Sequence, residues 1–238
     1  MTTPPTTVEP FGARLRSAMD HLGPFCPGID PHPGLLAQWG LEDGVDGLER
    51  FAMACVEAFG GEVACVKPQS AFFERFGSRG VAVLERTLEG LRDAGTLALL
   101  DAKRGDIGTT MAGYAQAYLS DDSPVRADAV TLSPYLGYES LRPALDLAAA
   151  TGRGTFVLAL TSNPEGPSVQ HAARDGRTVA AGVVDGVTAD NASAHRAGTL
   201  GSVGMVIGAT VGSAVDDLGL DLAASAAPLL VPGLGAQG

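Results

Sequence analysis

Seven short runs rich in aliphatic and β-branched residues recur along the 238-residue chain, separated by longer stretches with helical spacing. The runs are FCPGID (25–30), VACVKP (63–68), TLALLDAK (96–103), ADAVTLSPY (127–135), TFVLALTSN (155–163), VGMVIGAT (203–210) and PLLVPGLG (228–235). Between the first two lies a segment with apolar residues at Val45, Leu48, Ala52, Cys55, Val56 and Phe59, and residues 82–95 form a second such segment, closed by Gly95 as a helix stop. Strands without polar alternation, separated by helices, imply a parallel sheet covered on its outer face. An open doubly wound sheet would carry a Gly-rich nucleotide turn after its first strand. GIDPHPGLL instead puts Asp30 and two prolines there. The α/β pattern therefore predicts a (β/α)8 TIM barrel. Seven strands are one short of closure, so the eighth strand and last helix are expected to be missing from these 238 residues. Residues 1–10, polar and proline-rich, are expected to form a flexible N-terminal arm, and residues 11–238 one barrel domain.

Composition narrows the function. A hydrophobic content of 45% is enough to fill a substantial core, and a formal net charge of −11 argues against gripping nucleic acid or anionic lipid through a general basic surface. An anionic ligand would need a local pocket. No apolar run is long enough to span a membrane, and the N-terminus lacks the basic and apolar segments of a signal peptide. Cys26, Cys55 and Cys65 are odd in number and show no C-x-x-C spacing, which fits core thiols in a reducing compartment. A cytoplasmic location is expected, and the glycosylation-type triplet at Asn191 is then a chance match.

The polar residues at the strand ends share one address. Asp30 ends the first run, Lys67 the second, Asp101 and Lys103 the third, and Thr161 with Ser162 the fifth. In a barrel all of them lie at the C-terminal mouth, where active sites are built. Asp101 and Lys103 are two apart, so on a regular strand their side chains point the same way. Of the 16 Lys and Arg residues only Lys67 and Lys103 are lysine. Arginine cannot give up its proton at ordinary pH and lysine can, so a proton donor or compact cation is expected at these two places. The plainer reading is a pair of buried salt bridges. A Mg²⁺ site would want several oxygen ligands free of crowding by cations, and His21, His32, His171 and His195 show no ligand spacing. No metal is expected.

DAKRGDIGTTMAGYA (101–115), with GIDPHP, VKPQSAFFERFG, SPYLG, TSNPEG and VPGLGAQG, resembles the orotidine 5′-phosphate decarboxylase family, in its bacterial type 2 branch. The likeness runs in order from about Phe11 to Gly238. The resemblance implies cofactor-free decarboxylation of orotidine 5′-monophosphate to UMP, with Lys67, Asp101, Lys103 and Asp106 as the charged array and Lys103 protonating the C6 carbanion. It also implies that Asp30 and Lys67 contact the ribose, Ser162 the pyrimidine ring, and Pro232 and Gln237 the loop over base and phosphate. Asp106, Ile107 and Thr110 would reach into a partner's site, so a homodimer is expected. The family's phosphate-gripping arginine would follow the eighth strand and so lie past Gly238. The D-x-K-x-x-D pattern is shared with sugar-phosphate decarboxylases and synthases of the same superfamily, which remain alternatives. So does an inactive phosphate-ligand-binding barrel. An aldolase would need an amine nucleophile, for which an ammonium flanked by acids is poorly suited.

Overall fold

The computed structural model of the protein describes residues 8–234. All seven expected strands are present: β1 (Gly28–Ile29), β2 (Cys65–Pro68), β3 (Leu97–Arg104), β4 (Ala129–Leu132), β5 (Gly154–Leu160), β8 (Val203–Ile207) and β9 (Leu229–Leu230). A small antiparallel hairpin, β6 (Ala173–Arg174) and β7 (Arg177–Thr178), lies between β5 and β8 in the chain. The main sheet is parallel throughout, in the order β1-β2-β3-β4-β5-β8-β9. It is a curled barrel wall with β1 and β9 at its two edges, an incomplete form of the expected barrel. Residues 1–7 of the expected arm lie outside the described residues.

Strand periodicity divides the core in two. Residues of one parity, Val66, Ala98, Leu100, Val130 and Val157, pack outward against helices such as Val45–Phe59, Gly77–Asp93 and Arg142–Ala150. Their neighbours, Cys65, Leu97, Leu99, Ala129, Phe156 and Val206, point inward and form the barrel interior with Phe11 and Leu15. The helix Phe11–Leu22 closes this interior from below, its Phe11 ring fully buried and edge-on to Phe156 at 6.0 Å. Gly154 makes the contact possible, because a Cβ there would lie 2.3 Å from the Phe11 ring. At the other end of the sheet, Asn191 is buried and donates from Nδ2 to the carbonyls of Val203 (2.7 Å) and Ser225 (3.1 Å), tying β8 to the segment that leads into β9. Asn191 thus has a packing role. Cys55 and Cys65 are buried and Cys26 half-buried, all as free thiols. No described helix is long and apolar enough to cross a membrane.

Candidate active site

Two residues toward the C-terminal end from the apolar interior, the same inward-facing rows turn polar. Cys65 is followed by Lys67, Leu99 by Asp101 and Ala129 by Thr131. A polar floor therefore rests directly on the hydrophobic interior. Asp101, only 7% exposed, is its centre. Its Oδ1 accepts from Lys103 Nζ at 2.6 Å and from the Thr131 hydroxyl at 2.8 Å, while Oδ2 accepts from Lys67 Nζ at 3.3 Å. Lys67 Nζ also donates to Gln69 Oε1 at 3.3 Å and stands 3.7 Å from Asp30 Oδ1. That Asp30 oxygen is buried without a hydrogen-bond partner. Both lysines of the chain thus converge on one carboxylate. Burial pushes the Asp101 pKa up, but the Lys67 charge, the Lys103 charge and hydrogen bond and the Thr131 donor outweigh it and hold the carboxyl below the ordinary carboxylate range.

The strand that carries this cluster is not regular. Leu100 pairs with Val130 and Arg104 with Leu132, so Asp101, Ala102 and Lys103 on β3 stand opposite the single residue Thr131 on β4. Lys103 sits at φ +47, in the left-handed region that non-glycine residues rarely occupy. Simple alternation therefore does not account for its direction, although it reaches Asp101 as expected. The bulge leaves Arg104 facing the other side. There it ion-pairs with Glu74, donates to the Tyr118 hydroxyl at 3.2 Å and to the Ala102 carbonyl at 3.1 Å, and lies over the rings of Tyr114 and Tyr118. Its charge at the strand end thus serves packing.

Past the bulge the chain turns tightly against β4. A Cβ on Gly105 would lie 2.2 Å from the Ser133 carbonyl oxygen, so only glycine fits. Asp106 is half-buried and its Oδ1 accepts from the Ile107 amide at 2.8 Å. Among the described residues it forms no ion pair with Lys67 or Lys103 of its own chain. Ile107 is the N-cap of the helix Gly108–Leu119, and it and Thr110 are exposed. On the neighbouring β5 loop Ser162 is exposed and packs against Gly208 after β8, where a Cβ would be 2.8 Å from the Ser162 amide nitrogen. Gln170 clamps the residue before it, accepting from the Thr161 amide at 2.9 Å and donating to the Thr161 hydroxyl at 2.6 Å. Pro232 follows β9, its carbonyl accepting from Ala209 at 2.9 Å. Gln237 lies outside the described residues. Thr131, Gln69 and Gln170 are the contributors that sequence reasoning passed over. The inward row that turns from Ala129 to Thr131, in step with Leu99 to Asp101, was the signal for the first.

The chain has known relatives. The Orotidine 5'-phosphate decarboxylase / HUMPS family model matches residues 23–238. The chain belongs to that family. Orotidine 5'-phosphate decarboxylase of Salinispora arenicola is 63% identical over 97% of this chain and 81% of its own length, and that of Streptomyces coelicolor is 60% identical over the same shares. A crystal structure from Streptomyces avermitilis superposes with a TM-score of 0.92 at 58% identity, covering 100% of this chain and 81% of that one. Leishmania donovani OMP decarboxylase superposes with a TM-score of 0.74 at 29% identity, over 95% and 80% of the two chains. As a member of the decarboxylase family, the chain shares its fold with these solved structures.

Proposed function

We propose that the protein decarboxylates orotidine 5′-monophosphate to UMP and CO2, with no metal or organic cofactor, at the Lys67–Asp101–Lys103 cluster. The observation that carries the reading is the convergence of both lysines on a buried, ionised carboxylate at the polar end of the barrel, in a chain that belongs to the decarboxylase family. The C6–carboxylate bond breaks, CO2 leaves and the bonding pair stays on C6; Lys103 then delivers its ammonium proton to that carbon. Positive charge from Lys103, fixed in place before the reaction, stabilises the developing carbanion. Asp101 holds Lys103 by the 2.6 Å bond and puts negative charge where the substrate carboxylate must sit. Lys67 balances Asp101 from the other side. Asp30, its side chain 45% exposed beside Lys67, is suited to accept a ribose hydroxyl through its accessible oxygen. Ser162 binds the pyrimidine ring, and Pro232 contributes to the loop over base and phosphate.

Asp106, Ile107 and Thr110 serve the site of a second copy. The support is the exposure of Ile107 and Thr110 and the apolar surface beside them: Ile107, Tyr135 and Leu136 are 62, 79 and 53% exposed on the adjoining loops after β3 and β4. An apolar patch of that kind at the mouth is suited to an isologous interface. The reading as a whole is tested by following the ultraviolet absorbance of orotidine 5′-monophosphate with the wild-type protein, with and without a chelator. Turnover to UMP at the same rate in both arms is expected. No turnover would sink the assignment, and turnover abolished by the chelator would sink the metal-free mechanism.

A further inference from the structure

The left-handed backbone at Lys103 raises the question of what holds it. A non-glycine residue is strained there, so the conformation persists only where its surroundings fix it. The bulge also deprives β3 of its ordinary ladder partners between Leu100 and Arg104. Both needs are met by one atom. The Thr131 hydroxyl oxygen accepts from the amides of Ala102 at 3.0 Å and Lys103 at 2.9 Å, and its hydrogen goes to Asp101 Oδ1 at 2.8 Å. A hydroxyl has two acceptor positions and one donor, and all three are used. Thr131 is fully buried and lies on β4, which is paired on one side to β3 and on the other to β5 without irregularity.

We propose that Thr131 is the positioning residue of the charged cluster: its single hydroxyl sets the backbone from which Lys103 reaches the substrate and fixes which Asp101 oxygen faces Lys103. This inference rests on the decarboxylase reading above. The carboxylate has two oxygens and two lysine partners, and Thr131 shares Oδ1 with Lys103 while Oδ2 is left to Lys67. Without the hydroxyl, Asp101 is free to rotate between its partners, and two bulge amides lose their acceptor. Proton delivery to C6 depends on placement at the ångström level, and a misplacement of that size costs on the order of 100-fold in rate.

Thr131→Val keeps the shape and β-branching of the side chain and removes only the hydroxyl chemistry. Its kcat for orotidine 5′-monophosphate is expected to fall roughly 10–100-fold. KM should change much less, because Thr131 bonds directly only to Asp101 and the amides of Ala102 and Lys103, and Lys67 keeps its separate contacts to Gln69 and Asp30. The acid limb of the kcat/KM profile should move to higher pH, since Asp101 loses a donor to its charged form. Thr131→Ser restores the hydroxyl and should recover most of the rate. If valine fails to fold, serine against alanine gives the same contrast of one oxygen, and alanine should be the slower by a similar factor. A folded Thr131→Val enzyme with wild-type kcat and pH profile, or serine as slow as valine or alanine, overturns the inference while leaving the decarboxylase reading intact. A wild-type protein that does not decarboxylate the nucleotide overturns both.

Discussion

Because Lys67, Lys103 and Thr131 hold Asp101 ionised against the cost of its burial, its share of stability depends on pH in a definite direction. The folded-state pKa lies below that of the unfolded chain, near 4. The stabilisation is therefore complete above that value and is lost as pH falls through the lower, folded one. Asp101→Asn should be less stable than wild type at neutral pH, by about 1–3 kcal/mol. The gap should narrow in acid. Urea denaturation of both proteins from pH 7 to pH 3 checks this, and a pH-independent difference would mean that Asp101 contributes by shape rather than charge. Residues of this kind were legible from sequence because a charge at the end of an apolar strand has few structural reasons to be there. Thr131 was hidden by its own ordinariness: threonine is a common strand residue, and only the pairing of β3 with β4 places its oxygen opposite three residues. Arg104 was the converse case, a strand-end charge turned outward onto Glu74 and two tyrosines.

The central strands β2 to β5 and β8, and the helices Val45–Phe59 and Gly77–Asp93, could be read from their apolar patterns because those strands are mostly buried on both faces and those helices on one. The bulge in β3 could not, since register is a property of two strands. The hairpin β6–β7 escaped for a different reason: its four strand residues are mostly exposed and polar, and its only mark is the Asp175–Gly176 turn, both residues at positive φ. At this scale Gly105 tests how closely the loop after β3 must lie on β4. Gly105→Ala must displace either the loop or the Ser133 carbonyl, at a cost of about 1–3 kcal/mol. It should also lower kcat, because Lys103 is only two residues away. Gly113, in the middle of the next helix with open space around it, is the matched control. Gly113→Ala should leave kcat unchanged and raise stability by about 0.5–1 kcal/mol. Thermal melts and steady-state kinetics on the pair decide the point; equal behaviour would mean the close approach at Gly105 is not needed.

For the whole molecule, the sequence was sufficient to choose a barrel over a doubly wound sheet, because Asp30 and two prolines stand where a nucleotide turn would be. The homodimer expected from the family resemblance is a proposal, supported by the exposure of Ile107, Tyr135 and Leu136, which emerges only once the loops are placed. If Asp106 serves the partner's site while Lys103 serves its own, Lys103→Ala and Asp106→Ala homodimers should each be nearly inactive. Dissociated, mixed and reassociated, they form hybrids in which one site carries both lesions and the other neither. With random pairing, activity should return to roughly a quarter of wild type. Hybrids confirmed by native mass spectrometry but inactive would place both residues in one subunit's site. The central claim, that Lys103 is the proton donor, is tested most directly by single-turnover decarboxylation of orotidine 5′-monophosphate by Lys103→Ala and Lys103→Arg, with folding checked by circular dichroism. Both variants should be slower than wild type on the order of 1,000-fold or more, arginine giving no rescue because its guanidinium does not release a proton. A rate within tenfold of wild type in either variant would contradict the assignment.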